Sequence, residues 1–267
     1  MAAAAPGHIR FGVTPAFLHD RHSLLDEWKT HMSRRLGRPV ELVKRDSYRE
    51  TMDLVQSGQL DFAWICDYPY LRLRDIVRLL AVPLYQGKPY YHCYLIVGAG
   101  NTDAKGFEDL RGKIFAYADR YSNTGYLTPR YELHKIGADP ERFFRKTFFT
   151  LSHRKVVEAV ASGLASGGAV DSYVWESLAV IEPELTRKTR IIWRSPPFGF
   201  PPLVAHRSNA SDRDFQQMQQ LLLGMATDPD GQKLLQELNL DGFSVQGPEI
   251  YDGVAEMMRA FGEFDPT

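Results

Sequence analysis

The sequence predicts an α/β protein built as two lobes. Three observations carry that expectation. The first third of the chain reads strand–helix–strand–helix–strand, the middle repeats the succession, and one late strand followed by helices returns the chain to its first lobe, so that two crossing strands join the lobes.

The elements follow in order. His8 to Thr14 alternates and is rich enough in β-branched residues to be a strand. After Thr14-Pro15 comes a helix with Leu24, Leu25, Trp28, Met32 and Leu36 on one face, ended by Gly37. Val40 to Val43 is the second strand. Ser47-Tyr48-Arg49-Glu50 has the capping-box spacing, in which serine and glutamate each satisfy a backbone N–H of the other, and it opens a helix through Val55 that stops at Gly58. Leu60 to Cys66 is almost wholly apolar, as a strand covered on both faces must be.

Arg78 to Tyr85 and Tyr90 to Val97 are further strands, followed by a polar break at Asn101 to Asp103. Lys113 to Ala118 is a strand leading into Tyr121-Ser122-Asn123-Thr124-Gly125-Tyr126 and a helix that ends at Gly137. A turn at Asp139-Pro140 and an aromatic run from Phe143 to Phe149 come next. Ser152 and His153 open a helix with Val156, Val157 and Val160 inward and Gly163 at its end. Ala169 to Val174 and Arg190 to Trp193 are short strands. Ser195 to Pro202 holds four prolines and a glycine, so it is a connector. Leu203 to His206 is the last strand, and helices over Asp212–Ala226, Asp228–Leu238 and Tyr251–Phe261 complete the chain. The expected boundaries are 8–97 and 203–245 for the first lobe, 98–202 for the second, and 246–267 for a terminal helix and tail.

The 267 residues suffice for a sizeable core, and 44% hydrophobic with 24% charged content is that of an ordinary globular protein. A net charge of −1 argues against nucleic acid, which needs a concentrated basic surface. The cluster Arg34, Arg35 and Arg38 reads instead as a solvated helix end. No apolar run approaches the ~18 residues of a membrane span. Met1 to Pro6 reads as an added leader in place of whatever preceded Gly7, so composition does not set the compartment. Cys66 and Cys93 form no CxxC pair and no zinc-type spacing, so neither metal nor cofactor is expected.

Open α/β sheets bind ligands beyond the carboxyl ends of their strands, where loops meet helix starts. That rule points to the residues after Val13, around Ser47, after Ile65, after Tyr117, at Ser152 and after Val170. Ser122-Asn123-Thr124-Gly125 places two hydroxyls and an amide before a glycine at such a junction, a ready anion site; plain helix capping is the competing reading. Ser152-His153 offers an imidazole at another helix start, where a bound anion would favour the protonated ring; a solvated residue is the alternative. Tyr48, Tyr68 and Tyr70 supply either phenolic donors or packing walls. Asp171 either takes a proton from a ligand hydroxyl, holds His153, or caps the next turn.

These stretches, "IRFGVTP", "GRPVELVKRDSYRETMDLVQSGQLDFAWICDYPYL", "DLRGKIFAYADRYSNTGYLTPRYEL", "TLSHRKVVEAVASG" and "VDSYVWESL", resemble the phosphonate-binding family of periplasmic proteins over residues 8 to 240. That family serves phosphonate, phosphite and phosphate ABC transporters, and one branch senses arsenite. The resemblance implies a type II periplasmic-binding fold with two hinge strands that closes on a small oxyanion. It implies that Ser122, Asn123, Thr124, Tyr48, a tyrosine of the 68–70 stretch and His153 hold the anion, with Asp171 or Glu176 meeting a protonated oxygen or an amine. It also implies a periplasmic, monomeric receptor whose partner is a transporter permease or a membrane sensor kinase.

Departures are visible. Asn123 interrupts what is usually a run of three small hydroxyl residues, and Asp67 would repel a dianion by roughly 1–4 kcal/mol if it faced one at 4 Å. Cys66, expected at the pocket mouth, could bind a soft arsenic centre as a thiolate, pair with Cys93, or stay inert. An enzyme of the thiamine-pathway type on the same fold is the further alternative. The chain carries no nucleophile elbow, phosphate-binding P-loop or GxGxxG to support it.

Overall fold

The apolar stripes and caps read from the sequence become two sets of elements in the computed structural model, which describes residues 7–14 and 22–264. The expected leader, Met1 to Pro6, and Pro15 before the first helix lie outside the described residues. Contacts divide the chain into one unit running through Pro89 and again over Phe200–Glu249, and a second over Tyr90–Gly199 and from Ile250 onward.

In the first unit, β1 (Ile9–Val13) lies parallel to β2 (Val40–Lys44) on one side and β3 (Phe62–Trp64) on the other. Between β1 and β2, α1 (His22–Leu36) buries Leu24, Leu25, Trp28 and Met32, and Trp28 meets Phe11 and Trp64 edge-on. Gly37, at φ +62°, ends it in the left-handed region that glycine enters without a Cβ penalty. Before α2 (Tyr48–Gln56) the capping box forms as expected, Ser47 accepting from the Glu50 N–H and Glu50 from the Ser47 N–H.

The stretch after β3 departs from expectation. The strand expected over Leu60–Cys66 shrinks to three residues, and the segment read as a loop, Cys66 to Tyr70, starts a helix, α3 (Asp67–Leu73). Pro69 is no obstacle there. It occupies the first turn, where the N–H it lacks would have no helical acceptor, and Asp67 favourably faces the positive helix start. β4 (Val77–Leu84) then completes this pass.

The second unit opens with β5 (Tyr90–Tyr91) and β6 (Cys93–Gly98), the single strand expected there being broken at His92, whose N–H donates to Ser172 Oγ at 2.9 Å. Next come β7 (Ile114–Tyr117), a wide helical turn at Asn123–Leu127, α4 (Thr128–Lys135) and α5 (Pro140–Phe143), the last capped by Asp139. They are followed by β8 (Lys146–Phe149), α6 (His153–Ala161), β9 (Gly167–Asp171), α7 (Ser172–Ile181), α8 (Pro183–Thr186), β10 (Thr189–Arg194) and β11 (Phe198–Gly199). The strand expected over Ala169–Val174 ends early. Asp171 turns its carboxylate onto the Val174 N–H and caps α7, which starts at the next residue.

The return to the first unit supplies β12 (Leu203–His206), α9 (Asp212–Gly224), α10 (Pro229–Leu238) and β13 (Gly242–Ser244); α11 (Asp252–Ala260) belongs to the second. The first unit's sheet has the order β13-β4-β12-β3-β1-β2, with β12 inserted antiparallel between β3 and β4. The second unit's sheet has the order β10-β6-β9-β7-β8, with β7 parallel to both neighbours and β6 antiparallel to both of its own. The expected boundary at 97/98 therefore falls at 89/90. β6 takes its partners, β9 and β10, from later in the chain, and local patterning carries no trace of such pairing. The boundary expected at 202/203 falls at 199/200, because Phe198 and Gly199 pair with β5.

Candidate functional site

Two close packings bring the second unit's functional residues together. At Gly168 of β9 a Cβ would meet Val156 Cγ1 of α6 at 2.5 Å, so the missing side chain lets α6 seat directly on the sheet. At Gly125 a Cβ would lie 2.4 Å from Ala118 Cβ, 2.9 Å from Ser122 Oγ and 3.0 Å from His153 Cε1. Glycine is thus required where the turn after β7 meets the start of α6. The turn is further fixed by the Ala118 N–H donating to Gly125 O, and the Leu151 N–H donating to Ala118 O at 2.7 Å.

Ser122 caps this turn, its Oγ accepting from the Gly125 N–H at 3.0 Å. The capping reading of the loop is thus met at Ser122. Asn123 and Thr124 are buried beside it. The Asn123 side chain is a brace: its Oδ1 accepts from Thr128 Oγ1 at 2.9 Å and its Nδ2 donates to the Tyr91 hydroxyl at 3.2 Å. The Thr124 hydroxyl is different, at 1% residue exposure and with no hydrogen-bond partner among the described residues. Its carbonyl is held from behind by the Cys93 thiol, which donates at 3.1 Å.

His153 opens α6 as expected, but its charge state needs correction. The ring is buried, its Nδ1 accepts from the Asp171 N–H at 3.1 Å, and its Nε2 lies 3.1 Å from Ser122 Oγ. Burial pulls its pKa down to about 3, so the imidazole is neutral at physiological pH rather than the protonated donor expected. Asp171 holds this ring through its backbone while its carboxylate caps α7, with Oδ1 3.2 Å from the Val174 nitrogen. Glu176, one turn further along, accepts from the Tyr94 hydroxyl; burial first, and then this bond, raise the tyrosine's pKa.

The first unit gathers the other expected residues separately. Tyr48 is the first residue of α2 and is 2% exposed. Cys66 immediately precedes α3, and Tyr68 and Tyr70 are buried within it. Burial raises the Tyr70 pKa, against the opposing pull of Arg207 and Arg74. Asp67 is fully buried and turned onto its own helix start, Oδ1 accepting from the Tyr68 N–H and from the Cys66 thiol, both at 2.9 Å. The two cysteines are free thiols lying in different units, so the pairing held open from the sequence is not made. Burial pushes the Cys93 thiol well above its ordinary pKa.

Two features escaped the sequence reading. Cys93, read as a buried small residue or a partner for Cys66, gave no sign of its place behind Thr124. The link from the Asp171 N–H through His153 to Ser122 spans three segments that no spacing rule connects. Among the described residues no cluster of three metal-ligating side chains occurs, and no helix is long and apolar enough to cross a membrane.

Two α/β units with these strand orders have the architecture of a solute-binding protein of the type II periplasmic fold. Solved relatives share that fold. A binding-protein component of an ABC phosphonate transporter from Pseudomonas aeruginosa is 23% identical, over 94% of this chain and 85% of its own, with a TM-score of 0.85. A protein from Prochlorococcus marinus in complex with methylphosphonate is 19% identical over 96% and 99%, with a TM-score of 0.86. One from Xanthomonas citri bound to ATP is 21% identical over 97% and 99%, at 0.73. The family model of ABC transporter, phosphonate, periplasmic substrate-binding proteins matches residues 11–251, and the chain belongs to that family.

Proposed function

We propose that this chain captures a small phosphorus oxyanion of the phosphonate, phosphite or phosphate class in the periplasm and delivers it to an ABC permease as a monomeric receptor. The observation that carries the reading is the Thr124 hydroxyl, buried and without a hydrogen-bond partner among the described residues, two residues from the Ser122 cap. Leaving such a group unsatisfied costs about 1–3 kcal/mol, and an anion oxygen accepting from it removes that cost. The N–H groups that open a helical turn add donors of the same polarity. Asp171 and Glu176 are the acidic residues proposed to meet a protonated oxygen or an amine. Tyr48 and a tyrosine of the 68–70 stretch are proposed as a second group of contacts on the strength of the family resemblance. Asn123 contributes by bracing the loop and His153 through Ser122.

The sensing alternative, with arsenite on Cys66, is less favoured. A carboxylate accepting the thiol proton opposes the thiolate that a soft centre needs. The proposed role includes no turnover, so a bound phosphonate is expected to be recovered unchanged. A thermal-shift panel of methylphosphonate, phosphite, phosphate, sulfate and arsenite tests the reading. A phosphorus oxyanion should raise Tm most; a flat response to all five, or a shift with arsenite alone, overturns it.

A further inference from the structure

We infer that the seam between α1 and α10 in the first unit is an acid-sensitive joint, docked while the His31 ring is neutral and loosened locally when that ring takes a second proton.

His31 of α1 is 4% exposed. Its Nε2 stands 3.8 Å from Asp228 Oδ2, and among the described residues its Nδ1 has no hydrogen-bond partner. Asp228 is the cap of α10: Oδ2 accepts from the Gly231 N–H at 3.0 Å, and Oδ1 accepts from Arg35. A carboxylate can only accept, so a neutral His31 keeps its one proton on Nε2, toward Asp228, and leaves a bare lone pair on Nδ1. A second proton would turn Nδ1 into a buried donor with nothing described to receive it. Such a donor, on a ring that has also become charged, is far better solvated in water than in the seam. The open seam therefore takes up the proton more readily than the closed one.

The surrounding charges do not reverse this. Burial is the largest influence and lowers the His31 pKa; Asp228 opposes it, Arg35 and Arg34 add to it, and Asp230 opposes it more weakly. Both aspartates are already paired, Asp228 with Arg35 and Asp230 with Arg34. The basic cluster that reads as a solvated helix end is thus ion-paired throughout, since Arg38 holds Asp214. The remaining charges beside His31 are matched as well, Glu27 by Lys233 of α10 at 3.3 Å and Asp26 by Lys29 at 2.8 Å. From α9 come Gln217 and Gln220, which do not titrate.

Packing leaves room for the joint to give. A cavity of about 510 Å³ lies between His31 and α9, and one of about 570 Å³ between His31 and α10. A helix start flanked by cavities and clipped down by polar pairs belongs to the part of a fold that opens first.

Hydrogen exchange of the unliganded protein, followed by mass spectrometry from pH 7.5 to 5.0 and corrected for intrinsic exchange, tests the inference. That range stays above ordinary carboxylate titration. Relative to α2, which reports the rest of the unit, wild-type protection of α10 should fall below pH 6.5 by about 3- to 10-fold per pH unit, tenfold being the limit for one proton. In His31→Gln, which stays polar but cannot titrate, the extra loss should vanish. Protection of α10 that tracks α2 at every pH, or a fall equal in the two proteins, overturns the inference. Histidine 15N spectra of the wild type decide the matter if the variant does not fold. They should show His31 as the neutral Nε2–H tautomer at pH 7.5, taking its second proton only below pH 6.5. A ring protonated on Nδ1 when neutral, or one that titrates at or above pH 6.5, overturns it. Neither arm uses a ligand, so the outcome is independent of the proposed function.

Discussion

Ser122 and Thr124 stand two residues apart and use their hydroxyls in opposite ways. The first accepts the Gly125 N–H and lies 3.1 Å from His153 Nε2; the second makes no hydrogen bond among the described residues. At this scale the residue types stood out in the sequence as small hydroxyl side chains before a glycine at a strand–helix junction, where plain helix capping competed with an anion site. Their states were not legible. Protonation of His153 depends on burial and on an N–H donated from another segment, whereas the sequence offered a ring protonated beside a bound anion or one solvated at the helix start. The neutral ring has a measurable consequence. Its folded pKa of about 3 lies below the unfolded value near 6.5, so between those values the unfolded chain binds the extra proton and stability falls as pH falls. The loss amounts to about 1.4 kcal/mol per pH unit inside that window. Urea titrations of wild type and His153→Gln from pH 7.5 to 4.5 should show the wild type losing stability faster below about pH 6.5. His31, His92 and His206 are also shifted downward by burial, but they are common to both proteins and cancel in the difference.

Among the elements, those with local signals were read correctly and those with tertiary causes were not. The Ser47–Glu50 capping box and the apolar stripe of α1 are written within one or two turns of chain, and both form as expected. α3 was missed because Pro69 and an aromatic run read as loop, although a proline in a first helical turn breaks nothing. The end of β9 was misplaced because a valine after Asp171 continues a strand pattern, whereas the carboxylate had already turned back to cap α7. The element proposed to hold the anion is the turn joining β7 to α4, and its dependence on Gly125 is testable. Gly125→Ala places a methyl 2.4 Å from Ala118 Cβ and should cost about 1–3 kcal/mol in urea unfolding and abolish methylphosphonate binding. Gly106→Ala, which meets nothing within 4 Å, should stay within about 0.5 kcal/mol of wild type and bind normally.

For the whole molecule, the two α/β successions and the late return were legible as a repeated order of elements, and the family resemblance supplied the phosphorus chemistry. The assignment of strands to sheets was not legible, since β6 and β12 both pair with strands distant in sequence. Nor was the final passage of the chain, which carries α11 into the second unit. There the Arg130 guanidinium lies 4.2 Å over the Phe261 ring and 4.7 Å over Tyr126, and pairs with Glu263 at 3.1 Å. This cation, shared by two rings and a carboxylate, ties the last described residues to Tyr126 of the turn after β7. Arg130→Ala should lower Tm by a few degrees, in line with about 1–2 kcal/mol for such contacts, as read by differential scanning calorimetry.

The central claim is that the buried hydroxyl of Thr124 belongs to a bound oxyanion, and titration calorimetry with methylphosphonate on wild type and Thr124→Val tests it most directly. Valine keeps the shape and replaces the unsatisfied hydroxyl by a methyl. The account predicts saturable binding by the wild type, binding about 10- to 100-fold weaker in the variant, and an unliganded Tm unchanged or raised by the substitution. Equal affinities for the two proteins, or no saturable heat from the wild type, would contradict it.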